Sequence, residues 1–322
     1  MPDRPRDFGM SVELREGSGP ILTMCSVGDV LEIYKVDRCF EVQSPDSVDP
    51  SQIDPNAPWI VRHISTYGAG NEIVARTFLQ AAAITDHVLL KDSVKKPAVL
   101  IATKGCRGSL LECDRLSNQI NNQQNQIIEK YHVLEMQGNV FTSFPTFLGL
   151  RELAGAFLLH AKQCLQYASE IFDAFFGTTF HGPHFHKIRD WCKENLSSSG
   201  LMDFLTDHEP RAKWVVELRN FFEHPGEKKT EIRDFYWEPD KRSTHVPTWN
   251  ITGDVPGSIS KDSAAIVTFL TDFTEALIIL CAIQCTAHFP YIIVQNTPVK
   301  PEMPIRYSLE IDRAILSGAK EQ

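Results

Sequence analysis

The sequence predicts a mainly α-helical fold with β-rich additions at both ends. Residues 146–176 carry one wide apolar face at the spacing of a buried helix, and a last long helix is predicted over 260–288. Short segments near both ends are instead rich in β-branched and aromatic residues, which favour strands. With 43% hydrophobic and 23% charged residues among 322, the chain has the composition of a globular protein and can bury a substantial core.

The first half of the chain is predicted to hold strands and then helices. Residues 11–45 contain the strand candidates, and the proline-rich residues 44–58 suit a linker. An amphipathic helix is predicted over 71–90. Residues 91–115 are ambiguous, because their Val-Leu-Ile-Ala run also suits a strand. The Asn- and Gln-rich residues 116–135 are predicted as an exposed helix or arm, with a low-complexity disordered loop as the alternative.

The second half is predicted to be a run of helices. After the long helix, shorter helices are expected at about 187–195 and 202–205. The next helix is predicted to begin at Pro210, because proline costs no hydrogen bond in a first turn. It ends before Pro225, since the residue before a proline is pushed out of helical geometry.

An insertion and a tail complete the predicted organisation. Residues 227–258 suit an inserted hairpin or loop with strand candidates at 235–237 and 248–251, and two short strands follow the last helix near 291–294 and 305–311. These expectations divide the chain into four consecutive segments: a β-rich segment and linker at 1–60, a helical arm and connector at 61–145, a helical core at 146–288 and a β tail at 289–322.

Composition narrows the function classes. No apolar run approaches the twenty or so residues that span a bilayer, and the first residues lack the apolar stretch of a secretory signal, so we expect a cytoplasmic protein with no membrane partner. The eight scattered cysteines form no CxxC pair, which favours reduced, buried thiols. A net charge of −9 argues against tight non-specific nucleic-acid binding, but it leaves room for a small site that grips one or two phosphates.

The segment Arg219-Asn-Phe-Phe-Glu-His224 carries the residue types of a catalytic site. Arginine offers a planar fork of donors that fits phosphate, and histidine exchanges protons near neutral pH. Asn220 and His224 are four residues apart and share a helix face. Arg219 lies roughly 140° around the helix from His224, so one helix alone is not expected to clasp a ligand between them.

The spacing Arg219-Asn220-x-x-x-His224 resembles the HEPN superfamily, whose catalytic members carry arginine, a polar residue that is often asparagine, and then histidine. The resemblance covers about residues 146–288, where a long helix and a short helical pair precede the motif and a closing helix follows it. It implies an up-and-down helical bundle that pairs as a homodimer, with both motifs meeting at the interface.

The resemblance also implies an activity, namely metal-independent cleavage of RNA that leaves a cyclic phosphate and uses no cofactor. His224 would then transfer protons or stabilise the leaving group, Arg219 would bind phosphate, and Asn220 would orient the site. One histidine cannot serve as acid and base at once, so a twofold dimer would supply the second. Toxin or antiviral roles, with a neutralising or regulatory protein partner, follow from the resemblance alone.

Two other classes of function stay open. The chain could be a catalytically inactive HEPN-like interaction module, in which Arg219 pairs with Glu217 or Glu223 and His224 caps helix carbonyls. It could also be a nucleotide or small-ligand binder that uses the amides of the turn Gly68-Ala-Gly-Asn71. That turn lacks the lysine of a P-loop, and an N-cap is the favoured interpretation.

Three further groups of residues have a chemical and a structural interpretation. His181, His184 and His186 could bind zinc or a transition metal, but a loop packed by its phenylalanines with histidines at its surface is favoured. The remaining groups are two cysteines on one predicted helix face, interpreted as small hydrophobes, and two tryptophans that either stack on bases or pack the inserted hairpin: Cys281, Cys285, Trp237 and Trp249.

Overall fold

The computed structural model of the chain describes residues 14, 17–87, 90–136, 144–196, 200–238, 243–286 and 291–311. The protein is mainly α-helical with small sheets, which confirms the predicted class. Its residues group into two compact units, each assembled from separate stretches of chain. Unit 1 takes its residues from 1–104, 171–178 and 278–322, and unit 2 takes them from 105–170 and 179–277. The division into four consecutive segments stays a prediction.

Unit 1 contains a four-stranded antiparallel sheet in which each strand pairs with the next along the chain. One face buries Ile33, Phe40 and Val42, and the two strand neighbours of Ile33 on the opposite face, Glu32 and Tyr34, are fully buried as well. The β-rich beginning is therefore confirmed from residue 23 onward, while residues 11–13 lie outside the described residues. The strands are β1 Thr23–Val27, β2 Val30–Tyr34, β3 Cys39–Gln43 and β4 Ile60–Ser65.

The proline-rich linker contains a short helix, α1 Pro45–Val48, which the sequence analysis did not predict. Ser44 caps it, because its side-chain oxygen accepts a hydrogen bond from the Ser47 amide at 3.2 Å. Proline suits the first turn of a helix, so the same residue that indicated a linker also begins α1.

The helix predicted over 71–90 is confirmed, with a π-helical turn in its middle. It consists of α2 Glu72–Val74, the π turn Ala75–Leu79 and α3 Gln80–His87, and the two residues that follow lie outside the described part of the chain. The tail strands are confirmed as the antiparallel hairpin β10 Tyr291–Gln295 and β11 Tyr307–Ile311. The buried Gln80 binds both the amide and the carbonyl of Tyr307, at 2.9 and 2.8 Å.

The remaining helices are longer than the sequence predicts in two places. The ambiguous 91–115 region, from residue 96 onward, and the 116–135 arm form one helix, whose inner face buries Leu116, Ile120 and Gln124. The strand interpretation of the Val99 run is therefore wrong. The helix expected at Pro210 begins ten residues earlier and runs through that proline. These helices are α4 Lys96–Met136, α5 Leu150–Phe176, α6 Phe185–Asn195, α7 Gly200–Glu223 and α8 Ile259–Cys285.

Within unit 2 the long helices α4, α5, α7 and α8 alternate in direction. Contacts between paired helices advance along one partner while they recede along the other, which is the signature of antiparallel packing. The contacts are Cys106–Cys164 and Cys113–Phe157 for α4 with α5, Ser117–Ser263 and Asn121–Ser260 for α4 with α8, and Phe204–Phe273 and Arg211–Ala265 for α7 with α8.

The insertion between α7 and α8 is β-structured, as predicted, but its two strand candidates do not pair with each other. The 236–238 strand pairs with 243–245, and the 248–251 strand pairs with 230–233. Trp249 anchors the larger sheet, because its buried ring donates from Nε1 to Asp262 at 2.8 Å. The strands are β5 Thr230–Arg233, β6 Tyr236–Glu238, β7 Ser243–His245, β8 Thr248–Ile251 and β9 Gly257–Ser258.

Helix α8 overturns one expectation from the sequence. By length and composition it is apolar enough to cross a bilayer. The sequence did not predict such a stretch, since scattered polar residues such as Thr271 and Thr274 interrupt its apolar runs. In the structure 72% of its most apolar window is buried. The same composition therefore also suits a central core helix.

Candidate functional site

The Arg219 to His224 segment lies at the carboxyl end of α7. Val215 and Leu218 are fully buried and fix the inner face of the helix in unit 2. The helix ends at Glu223, one residue before His224 and two before Pro225, as the proline predicts. The His224 amide still donates to the Asn220 carbonyl at 2.8 Å, so the backbone keeps one last helical hydrogen bond.

Arg219 and His224 converge on a single carboxylate oxygen. Arg219 Nη2 lies 3.0 Å from Glu223 Oε2, and His224 Nε2 lies 4.0 Å from the same atom. That one helix alone does not clasp a ligand between the two groups stays a prediction, while the considered pairing of Arg219 with Glu223 is confirmed. Both side chains reach the same carboxylate although their helical positions lie roughly 140° apart. The reason is that the helical angle no longer applies at His224, which follows the end of α7, and that the flexible Glu223 side chain lies between them.

The two basic side chains differ strongly in exposure. The Arg219 side chain is 12% exposed and its Nε atom is buried, without a hydrogen-bond partner among the described residues. The His224 imidazole is 81% exposed. Arginine is thus held in place by Glu223, whereas histidine stands in solvent, accessible to a ligand or to a second protein chain.

Asn220 faces α5 rather than His224. Its Oδ1 accepts a hydrogen bond from Lys162 Nζ at 2.8 Å, which fixes the orientation of the amide. Phe222, two residues on, also packs on α5, where a Cβ added to Gly155 would lie 2.7 Å from its ring and where the Arg151 guanidinium covers it at 4.8 Å. These contacts fasten the end of α7 to α5.

A cleft of about 400 Å³ opens beside Asn220, between the beginning of α6 and the outer face of α7. Its walls combine imidazoles, cations and carboxylates. The side chains that line it include His184, His186, Arg189, Glu209, Lys213, Glu217 and Asn220.

The three clustered histidines do not form a metal centre. Among the described residues, which include His181, His184 and His186, no group of three His, Cys, Asp or Glu side chains is arranged to hold a metal ion. The rings of His184 and His186 meet edge to face at 5.7 Å. Phe185 between them is buried and packs against Phe273 at 4.9 Å, so the favoured interpretation of a packed loop with surface histidines is confirmed.

The glycine turn before α2 has no amides to offer to an anion at its two central positions. The Ala69 and Gly70 amides donate to the carbonyls of Lys35 and Val36, each at 2.8 Å. Asn71 caps the helix by accepting from the Val74 amide at 3.2 Å, which confirms the N-cap interpretation. The nucleotide-binding alternative loses its site for this physical reason.

The cysteines and tryptophans divide as their burial decides. All eight cysteines, which lie in the described part of the chain, are buried and carry thiols rather than disulfides. Burial raises the pKa of Cys192 to about 12 and that of Cys285 to about 11, so both are poor nucleophiles. Trp249 belongs to the core, whereas Trp237 is 48% exposed on its hairpin.

Sequence reasoning assigned no chemical role to two residues of this site. Glu223 was considered only as a partner of Arg219, a contact that its i, i+4 spacing predicts. Its position next to His224 was not used. Lys162 precedes Asn220 by 58 residues, so only the packing of α5 on α7 could reveal their contact.

No protein-family model, curated protein or solved structure matches the chain. The site itself therefore carries the functional proposal.

Proposed function

We propose that the chain is a HEPN-type, metal-independent endoribonuclease that acts as a homodimer. The observation that carries this proposal is the end of α7, where an 81% exposed imidazole stands beside a guanidinium that shares its carboxylate partner. The alternating directions of α4, α5, α7 and α8 support the HEPN-like, up-and-down bundle that the resemblance implies.

The proposed reaction uses the RNA strand as its own nucleophile. The 2′-oxygen forms a bond to phosphorus and gives up its proton, while the bond from phosphorus to the 5′-oxygen breaks and that oxygen takes a proton. A cyclic phosphate and a free 5′-hydroxyl result. His224 would transfer these protons, because histidine changes charge near neutral pH.

Arg219 would bind the phosphate oxygens through its planar fork of donors. To do so it must leave Glu223, or share its guanidinium between the carboxylate and the phosphate. Asn220 would act as a positioning residue, because its amide holds Lys162 and thereby the end of α7.

A second copy of the chain would complete the site. One histidine cannot give and take protons in the same step, and a twofold axis near the end of α7 would bring two imidazoles and two guanidinium groups together. The high exposure of His224 in a single chain supports this arrangement, since it leaves the imidazole free of packing that a partner would have to displace.

The test is cleavage of labelled single-stranded RNA by the purified full chain in the presence of a chelator, with a DNA oligonucleotide of the same sequence as control. We expect chelator-resistant cutting of RNA alone, with cyclic phosphate ends. His224→Ala and Arg219→Ala should each reduce the rate at least about 100-fold, which is the usual contribution of a positioned acid–base or charge-stabilising group.

The matched control is His181→Ala, which removes an exposed histidine outside the site and should cut like the wild type. Undiminished cutting by the Arg219→Ala, His224→Ala double variant would assign the activity to another source and contradict the proposal.

A second candidate function is a catalytically inactive HEPN-like module for dimerisation or interaction. The ion pair favours it, because an arginine that is 12% exposed and held at 3.0 Å by Glu223 already has a structural role. A chain that forms dimers, cuts no RNA and keeps its dimers after Arg219→Ala and His224→Ala would favour this candidate.

The cellular setting belongs to the proposal as well. We propose a cytoplasmic protein without a membrane partner, acting as a toxin or antiviral effector under a neutralising or regulatory protein. The burial of most of α8 supports the absence of a membrane partner, and the family resemblance supports the rest.

A further inference from the structure

The cleft is lined along one face of α7 as far as Asn220, and His224 follows Asn220 after four residues. Glu209, Lys213, Val216, Glu217 and Asn220 follow one another at steps of four, three, one and three residues, so they form a stripe on the helix surface. His224 is four residues beyond Asn220 and keeps a backbone hydrogen bond to it at 2.8 Å. The stripe therefore ends at Asn220, whose carbonyl accepts from the amide of the proposed catalytic residue.

The stripe is long enough for several nucleotides. Eleven residues separate Lys213 from His224, which is roughly 16 Å along a helix. A stacked nucleic-acid strand rises about 3.4 Å per nucleotide. A strand that lies along α7 would thus place some nucleotides in the cleft and another linkage at His224.

The cations of the cleft are held loosely enough to accept a phosphate. Lys213 Nζ lies 3.8 Å from Glu217 and Arg189 Nη1 lies 3.6 Å from Glu209, both longer than the 2.7–2.9 Å of a strong charge-assisted hydrogen bond. Arg189 is also bound twice to Asp190, at 3.1 and 3.0 Å. Lys213, whose side chain is 61% exposed, is therefore the more available cation.

Two further groups that line the cleft, one beside α6 and one on α7, suit a base. Partial burial and the nearby Lys187 and His186 lower the pKa of His184, which favours the uncharged imidazole, and its ring lines the cleft where a base could stack. Asn220 has its amide oxygen occupied by Lys162, so its NH₂ group remains to donate to a base edge. The two carboxylates that line the cleft disfavour non-specific binding of a polyanion.

We propose that this cleft is the subsite for single-stranded RNA, with a base against His184 and Asn220 and a phosphate on Lys213. This assignment deepens the proposed ribonuclease function and rests on it. The strand runs along the α7 stripe, so the cleft sets which linkage reaches His224.

Binding of a cleavage-resistant RNA strand tests the assignment separately from catalysis. The probe is a fluorescent single-stranded oligonucleotide with 2′-O-methyl groups, titrated against the full-length wild type and variants by anisotropy. Lys213→Glu places a third carboxylate in the cleft and should raise Kd about tenfold or more. His184→Ala should raise Kd at least about fivefold through the loss of stacking. Lys261→Glu, a matched charge reversal on α8 outside the cleft, should leave Kd unchanged.

The outcomes of this experiment separate the two proposals. His224→Ala that abolishes cleavage but keeps the wild-type Kd, together with weak binding by the cleft variants, supports both. Cleft variants that bind and cut like the wild type overturn the subsite and leave the ribonuclease standing. If the wild type binds RNA without cutting it and Lys213→Glu weakens that binding, the subsite is supported and the ribonuclease proposal is contradicted. A wild type with no affinity for the strand overturns the subsite.

Discussion

At the scale of single residues, Glu223 decides what the two basic groups of the motif can do. Its Oε2 lies 3.0 Å from Arg219 and 4.0 Å from His224, so one carboxylate neutralises the guanidinium and attracts the imidazole. A phosphate that approaches Arg219 competes with this carboxylate for the same donors. The carboxylate therefore limits phosphate binding while it keeps the arginine in position.

Replacing Glu223 should strengthen RNA binding. Glu223→Gln removes the negative charge and releases Arg219. Because an ion pair at the surface, here with a carboxylate that is 44% exposed, is worth up to about 1 kcal/mol, affinity for the 2′-O-methyl strand should rise up to about fivefold. The measurement is the anisotropy titration described above. Glu227→Gln removes one charge nearby from an exposed residue that contributes nothing to the α7 stripe, and it should have no such effect. Equal Kd values for Glu223→Gln and the wild type would contradict a competing role for the carboxylate.

At the scale of elements, the helices were predictable where apolar residues follow a single helical period. Residues 146–176 show this period and form α5. The strand prediction for the Val99 run was wrong because β-branched residues give only a weak preference for strands. The burial of residues 99, 102 and 106 on one helix face overrides it. The predicted helix start at Pro210 was wrong for a similar reason, since packing of α7 against α8 offsets the loss of one backbone hydrogen bond at the proline.

The candidate site was predictable only in its local part. Arg219, Asn220 and His224 are visible in the sequence because their chemistry depends on spacing along one helix. The cleft was not visible, because it combines residues of the consecutive helices α6 and α7 that meet only through tertiary packing. Neither secondary-structure propensity nor hydrophobic periodicity contains information about such tertiary contacts.

Two glycines of α4 provide a matched test of the helix packing in unit 2. A Cβ at Gly105 would lie 2.6 Å from the Tyr167 ring of α5, whereas a Cβ at Gly108 meets nothing within 4 Å. Gly108→Ala should therefore stabilise the protein by about 1 kcal/mol, the helix preference of alanine over glycine. Gly105→Ala should destabilise it by about 1–2 kcal/mol, because overpacking outweighs that gain.

The measurement for the glycine pair is unfolding in urea. Where the unfolding free energies of the two variants depend equally on urea concentration, their midpoints can be compared directly. Because the two positions lie three residues apart on one helix, differences in helix preference cancel between them. Similar midpoints for the two variants would mean that α4 and α5 do not approach as closely as the contact at Tyr167 requires.

At the scale of the whole molecule, charge and assembly constrain the function. A net charge of −9 disfavours long-range attraction of RNA, so affinity has to come from a small site that combines one or two phosphate contacts with base contacts. A cleft with balanced charges is consistent with that requirement. Assembly matters because a single chain offers one His224, and the proposed reaction needs a proton acceptor and a proton donor.

Mixed dimers of wild-type and His224→Ala chains test the composite site most directly. The two chains carry different tags, the mixed dimers are purified at a mass near twice 36.4 kDa, and RNA cleavage is compared with that of each homodimer. We expect the mixed dimer to be nearly as inactive as the His224→Ala homodimer, because a composite site with one imidazole lacks either its proton acceptor or its proton donor. A mixed dimer with about half the wild-type activity, or a wild type that cuts RNA as a monomer, would contradict the composite site.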